Sequence, residues 1–543
     1  MICSLVAWLP LWIFAILNVV ASSKHDHFSD DAGSQLFRSW LDNAQDLPAH
    51  FLRVPREAPD AKGEYSFKPR WISQQLDHFN KQHSGRFWQR YFVYEKFSQP
   101  EENYPLFVFC GAEQGDIQLE WEHYGFMVEF AREQGAKILW LEHRFFGKSI
   151  PFKEEEAFQA RADRVGLLSI EQSLEDYAEI IRTYKKEGPV LTFGGSLSGT
   201  IAVLMRIQYP TLVDFAYGSS APIFGLTGIA DQFSWQRRLT ENFAELGGAD
   251  CPGLVRTGFV SFLSPNRPRL HEAFDTCEAE PTDDQLNIIL GRVWSFLDMI
   301  GTYVYPASIS GIDLACQQMR KGVASSREAI FAQLLHLLPS QLLPGERCMN
   351  LTRIQNARGP TDPSDLGWLY LACTEIIHPI GANNRTDMFP PQNWTLSSLQ
   401  VMCNRSWNVI PDEGFLQRKL DIRIEGEGTS AHIVKTPALP GKVLLTYGRY
   451  DPWATMVPKD GWADDVLSFE VPGGAHCSDL ETPQEFDTAS MVKARKNISR
   501  ILEDWIYDVR PQRLLKRRSF GEQASNLRGF GQRVLAATGM KTS

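Results

Sequence analysis

Pro189-Val190-Leu191-Thr192-Phe193-Gly194-Gly195-Ser196-Leu197-Ser198-Gly199 is the stretch on which the reading of this 543-residue chain turns. Its first five residues are short, largely apolar and bounded by turn formers, as a buried strand is. Ile201–Tyr209 then has helical periodicity and stops before Pro210. A serine on a sharp strand-to-helix turn is lifted above the sheet edge, and small neighbours are needed because that turn is crowded. The usual G-x-S-x-G appears here as G-x-S-x-S, with Ser198 where glycine would stand and Gly199 after it. The alternative is a Gly-rich loop with a helix-capping serine. Which holds depends on whether a base and an acid occupy matching places elsewhere.

Outward from this stretch, strand patterns fall at Phe87–Tyr94, Pro105–Cys110, Lys137–Leu141, Val213–Tyr217, Lys442–Tyr447 and Val466–Val471. Helical patterns fall at Leu119–Gln134, Ile170–Lys186 and Thr482–Val509. The alternation predicts an α/β fold with a parallel sheet covered on both faces. Residues 224–435 break it with helical periodicity and six cysteines, which predicts a helical, disulfide-stapled cap domain inserted between the Ser196 strand and the Lys442 strand. The expected division is 1–21 signal peptide, 22–65 mature N-terminal segment or propeptide, 66–223 first part of the α/β domain, 224–435 cap, 436–509 second part, and 510–543 basic tail.

Asp451 follows the strand Lys442–Tyr447, and His476 follows Val466–Val471. The order Ser196, Asp451, His476, each after a strand, is that of the α/β-hydrolase triad. His143 also follows a strand but in the wrong order, so it is read as structural. The oxyanion hole needs backbone N–H donors. Leu197 after the serine is one candidate, and Ala112, in the small-residue loop Cys110–Gly115, is the other. Phe146-Gly147-Lys148-Ser149 resembles the end of a phosphate-binding loop, but position 142 is Glu142 rather than the required glycine, so a nucleotide site is rejected. No cofactor and no metal is expected.

Met1–Ala21 is apolar, broken by Pro10, and followed by small and polar residues, which predicts a secretory signal peptide and no membrane span after its cleavage. Beyond Cys3 and the pair Cys110 and Cys477, the cysteines are Cys251, Cys277, Cys316, Cys348, Cys373 and Cys403. An even cluster without a CxxC pair reads as three disulfides, with fifteen connectivities open. Sequons at Asn350, Asn384, Asn393, Asn404 and Asn497 agree with glycosylation in the secretory pathway. The net charge of -10, with its basic excess confined to the tail after Val509, argues against a nucleic-acid partner. A homodimer is compatible with the sequence.

Several stretches together resemble the family of prolyl carboxypeptidase, dipeptidyl peptidase II and thymus-specific serine protease. They are Gln75–Asn80 (QLDHFN), Leu141–Ser149 (LEHRFFGKS), Glu171–Tyr177 (EQSLEDY), Gly194-Gly195-Ser196, Ser219–Pro222, Ala372–Glu375 (ACTE), Asp451-Pro452-Trp453 and Ala475-His476. The resemblance implies a serine exopeptidase acting on peptides beside proline, through a triad of Ser196, Asp451 and His476 and an acyl-enzyme, in the lysosome or outside the cell. It also implies the pairing Cys251–Cys316, Cys277–Cys348 and Cys373–Cys403. Two departures, Leu197 in place of the family's aromatic and one extra residue in the loop Gly111-Ala112-Glu113-Gln114-Gly115, lie beside the oxyanion hole and leave the triad intact. Glu113 and Glu375 are candidate anions for a substrate amine, and Trp368, Tyr370 and Trp453 are candidate walls of a proline pocket. A carboxylesterase or lipase would use the same triad. A fold that has lost catalysis and serves adhesion is the rival of another class, against which the intact triad argues.

Overall fold

A computed structural model describes residues 69–509, short of 81, 83, 99–102, 113–116, 264–275, 307–310, 326–329, 332–333, 335–347, 356–362, 426–431 and 435–440. The expected signal peptide, N-terminal segment, basic tail and Glu113 lie outside the described residues.

Eight strands form one sheet: β1 (Arg70–Gln75), β2 (Arg86–Tyr94), β3 (Leu106–Cys110), β4 (Lys137–Leu141), β5 (Val190–Gly195), β6 (Phe215–Ser219), β9 (Val443–Gly448) and β10 (Val466–Val471). Their order is β1-β2-β4-β3-β5-β6-β9-β10. β1 and β2 run antiparallel to their neighbours, and from β4 onward all pairs are parallel.

Alternation along the strands builds two cores. Val108, Cys110, Leu139 and Leu141 face helices α3 (Ile170–Tyr184) and α4 (Leu197–Gln208). Phe107, Phe109, Ile138 and Trp140 face α2 (Gly125–Gln134) and α11 (Ala489–Val509). Phe109 stacks on Trp140 at 4.1 Å between ring centroids. Both faces of the central strands are thus apolar, which is why these segments read as unbroken hydrophobic runs.

The structure departs from the sequence reading at a few boundaries. The expected helix Leu119–Gln134 is two helices, α1 (Ile117–His123) and α2. Gly125 sits at the joint, where its N–H donates to Thr482 Oγ1, and a Cβ there would lie 2.3 Å from the same oxygen. The last helix begins at Ala489 rather than Thr482, because Gln484 N–H turns to the Asp487 carboxylate instead of to a helical carbonyl. α4 begins directly after Ser196 rather than at Ile201. The strand β1 was not expected. It is a largely exposed edge strand, held through the buried pair Gln74–Gln89 at 2.9 Å. Within 224–435 there is also a short antiparallel pair, β7 (Arg423–Glu425) and β8 (His432–Val434), too brief for periodicity to reveal.

Between β6 and β9 the chain is otherwise helical in its main elements: α5 (Ser234–Gly247), α6 (Cys251–Leu263), α7 (Asp283–Thr302), α8 (Ile312–Ser325), α9 (Pro363–Thr374) and α10 (Leu396–Trp407). α7 opens with a capping box, in which Thr282 and Gln285 satisfy each other's backbone N–H groups. The disulfides are Cys251–Cys316, Cys277–Cys348 and Cys373–Cys403, the set implied by the resemblance, and all lie in this insert. Cys110 and Cys477 are buried and outside any disulfide.

The bridge Cys373–Cys403 joins α9 to α10 and closes the shortest of the three loops. Replacing both cysteines by serine is expected to cost roughly 2–4 kcal/mol, read as a lower thermal or denaturant midpoint. An unchanged midpoint would show that packing alone holds α9 on α10.

Candidate active site

Ser196 stands between β5 and α4 with φ 57 and ψ -128, a left-handed conformation that costs a non-glycine residue of order 1–3 kcal/mol. Its neighbours hold it there. Ser196 N–H donates to Ser219 O on β6 at 2.9 Å, and Thr200 N–H donates to Ser196 O at 3.1 Å. A Cβ on Gly194 would fall 2.2 Å from the Ser198 backbone, so glycine is obligatory at that close approach. Ser198, the residue in place of the usual glycine, is buried without displacing the turn.

Asp451 caps the short helix Pro452–Met456, its carboxylate accepting Trp453 N–H at 2.9 Å. Both carboxylate oxygens lie 3.0 Å from His476 Nδ1. A carboxylate can only accept, so the imidazole carries a proton on Nδ1 and donates it to Asp451. Asp451 and His476 are both buried. The His476 ring meets Tyr303 edge-on at 5.5 Å and Trp453 at 6.2 Å. His476 N–H donates to the Thr302 carbonyl at 3.0 Å.

The loop carrying His476 is bound to the Ser196 turn by the residue that follows. Cys477 Sγ would lie 2.9 Å from a Cβ on Gly195, and Cys477 N–H donates to Ser220 Oγ at 3.0 Å. Two residues on, the buried Asp479 carboxylate accepts the hydroxyls of Ser219 and Thr446, each at 2.5 Å, and that of Tyr217. Arg495 on α11 donates to the carbonyls of Asp479 and Ser478. Asp479, Thr302, Tyr303 and Asn242, the last taken up below, were missed by the sequence reading. No motif marks them, because their roles come from chain segments that meet only in the folded molecule.

Leu197 is the first residue of α4, so its N–H has no intrahelical acceptor and is available above the turn. Ala112 is buried just after β3. Its neighbour Gly111 is fixed by a bond from its N–H to Leu141 O and by Tyr177 O–H donating to its carbonyl.

Of the other expected site residues, Trp453 lies against His476. Trp368 is one ring further away, meeting His378 at 5.8 Å, which in turn meets Trp453 at 6.4 Å. Tyr370 packs edge-on against Trp407, inside the insert. Glu375 accepts Ile170 N–H at 2.7 Å, joining the end of α9 to the start of α3. His143 has the structural role expected of it: Nδ1 donates to Arg144 O, Nε2 accepts from Ser173, and burial pushes its pKa down to about 4. Ser149 of the phosphate-loop decoy is spent on Glu142. Asn384, Asn393 and Asn404 are exposed, and Asn350 and Asn497 are half-buried. Among the described residues no cluster of His, Cys, Asp and Glu could hold a metal ion. No described helix is long and apolar enough to cross a membrane.

The family model for serine carboxypeptidase S28 matches residues 74–498. The human protein named lysosomal Pro-X carboxypeptidase is 26% identical over 478 residues, covering 84% of this chain and 92% of that one. The mouse thymus-specific serine protease is 25% identical over 470 residues, covering 82% and 88%. A solved structure, proline iminopeptidase of Mycobacterium smegmatis, aligns with a TM-score of 0.35 and 12% identity, covering 81% of this chain and 99% of that one.

Burial raises the Glu375 carboxyl to about 8, well above the ~4.3 of a free glutamate. The folded state then holds a proton that the unfolded chain releases, so stability is lost as pH rises from about 4.3 to about 8. The melting temperature is expected to be higher at pH 5 than at pH 8, and Glu375→Gln to flatten that slope. An equal slope in the variant would place the dependence elsewhere.

Proposed function

Given that the chain belongs to the serine carboxypeptidase S28 family and is a serine-type peptidase, we propose that it removes residues from short peptides at a proline near one terminus. Ser196 attacks the carbonyl carbon, His476 Nε2 takes the hydroxyl proton and returns it to the leaving amine, and Asp451 holds the imidazole tautomer. Water then clears the acyl-enzyme by the same route. The observation that carries this reading is the buried Asp451–His476 pair, bonded at 3.0 Å and tied through Cys477 to the strained Ser196 turn. The N–H of Leu197, with Ala112 as the second donor, would receive the oxyanion.

Three observations support the narrower reading. The relatives named Pro-X carboxypeptidase match over most of both chains. The fully buried Trp453 gives His476 an apolar backing, and a proline ring, which lacks an N–H, would leave no donor unsatisfied in such surroundings. The helical insert, taken as a cap spanning 224–435, brings the end of α7 to His476, which favours a free peptide end over an internal loop. The relatives named lysosomal favour the lysosome or another secretory-pathway site.

Ser196→Ala is expected to fold as the wild type and to lose turnover by several orders of magnitude. Retention of more than about a tenth of the activity would remove Ser196 from the mechanism. A matched peptide set, with Pro or Phe at the scissile position and with free or capped ends, tests specificity by mass spectrometry. Preference for Pro and for one free end is expected. The end whose capping abolishes cleavage tells carboxypeptidase from dipeptidyl peptidase action. Equal rates for Pro and Phe, or hydrolysis of acyl esters alone, would overturn the proposal.

A further inference from the structure

We propose that Asn242, on α5, is a positioning residue that clamps the helical insert to the Asp451–His476 pair, making the insert part of the frame that aligns the catalytic groups. The proposal rests on the triad reading above. Asn242 is buried, and its Nδ2 donates two hydrogen bonds, to the Tyr450 carbonyl at 2.7 Å and to the Gly301 carbonyl at 3.0 Å. Both partners are acceptors, so only the amide nitrogen of the side chain can face them.

What these two carbonyls adjoin gives the contact its meaning. Tyr450 is the residue before Asp451. Gly301 is followed by Thr302, whose carbonyl accepts His476 N–H, and by Tyr303, whose ring meets the imidazole edge-on. One side chain thus joins the peptide leading into the acid with the peptide that holds the base. The last carbonyls of a helix have no intrahelical donor. For α7 two of them, on Gly301 and Thr302, are satisfied by Asn242 and by the His476 backbone.

The polar contacts of Glu245 and Arg238 with residues 449–450 are exposed and worth little by themselves, while further along Trp235 meets the buried Trp453 edge-on at 6.1 Å. The buried amide is different. Without it, the buried Gly301 carbonyl and the half-buried Tyr450 carbonyl lose a donor, at a cost that favours a shift of the α7 end or of the 449–451 segment. The Asp451–His476 bond depends on both. A displacement of the order of 1 Å in such a pair lowers the rate by about 100-fold.

The test is Asn242→Leu and Asn242→Asp in the full chain. It compares kcat, KM, the pH profile of kcat/KM and the rate of labelling by a fluorophosphonate with the wild type and Ser196→Ala. The expected result is a fall of about 10- to 100-fold in both kcat and labelling rate, with KM within about threefold and the acid limb of the profile displaced. Because labelling needs the activated serine but no peptide, it separates alignment from substrate binding. Kcat and labelling within about twofold of wild type, or a rise in KM alone, would overturn the proposal. Should the leucine variant not fold, Asn242→Ser keeps a donor too short to reach both carbonyls. The same fall is expected there, and wild-type labelling of it overturns the clamp. A wild-type enzyme that takes no label would instead refute the triad reading, which distinguishes the two failures.

Discussion

The Asp479 carboxylate is the point on which the active end of the sheet converges. Three hydroxyls, from Tyr217 and Ser219 on β6 and Thr446 on β9, donate to it in the buried interior. A carboxylate so placed is tolerated because each donor is a fixed O–H supplied by a strand that is itself locked in register. The loop that carries it also carries His476, three residues earlier. Strand register is thereby converted into the position of the imidazole, and Arg495 holds the same loop from the side of α11.

Ser196 is placed by a different economy. Its left-handed backbone is unfavourable in isolation and persists because Gly194 and Gly195 admit the Ser198 backbone and Cys477 at distances no side chain would allow. The strain therefore sits between two rigid bodies, β5 and α4, and the His476 loop locks it from above. The three groups of the proposed triad come from three strand ends, and each has, besides bonds within its own segment, a bond to another one: Ser196 N–H to Ser219 O, Asp451 to His476 Nδ1, and His476 N–H to Thr302 O.

The parts legible in the sequence were those written in consecutive residues. Runs such as Leu106–Cys110 and Val443–Gly448 announced buried parallel strands, and the Gly194–Ser196 turn and the loops at Asp451 and His476 nominated the proposed triad. The split at Gly125 was hidden because its cause, Thr482, lies far along the chain. β1 was hidden because an exposed edge strand has little apolar pattern to show. Trp368, Tyr370 and Glu375 were nominated from one stretch of α9, but side chains on a helix diverge. Trp368 turns towards His378 and Trp453, while Tyr370 packs on Trp407 and Glu375 on the start of α3. Asn242 carried no signal at all, since its two acceptors are backbone atoms.

The insertion between β6 and β9 also has a consequence for biosynthesis. These two strands are neighbours in the sheet, yet the ribosome makes the whole helical insert between Ser219 and Val443. During that interval β6 is a bare, apolar edge, a template for wrong pairing. Closure of the sheet waits on a contact of very high sequence separation, a kind of contact that slows folding in general. Cys477 is made after all six bridging cysteines, and in the finished fold its thiol is buried against Gly195 and the Ser219 carbonyl of the first half. In an oxidising compartment the insert must complete its own three bridges during the same interval, so the order of synthesis itself guards against mispairing with Cys477.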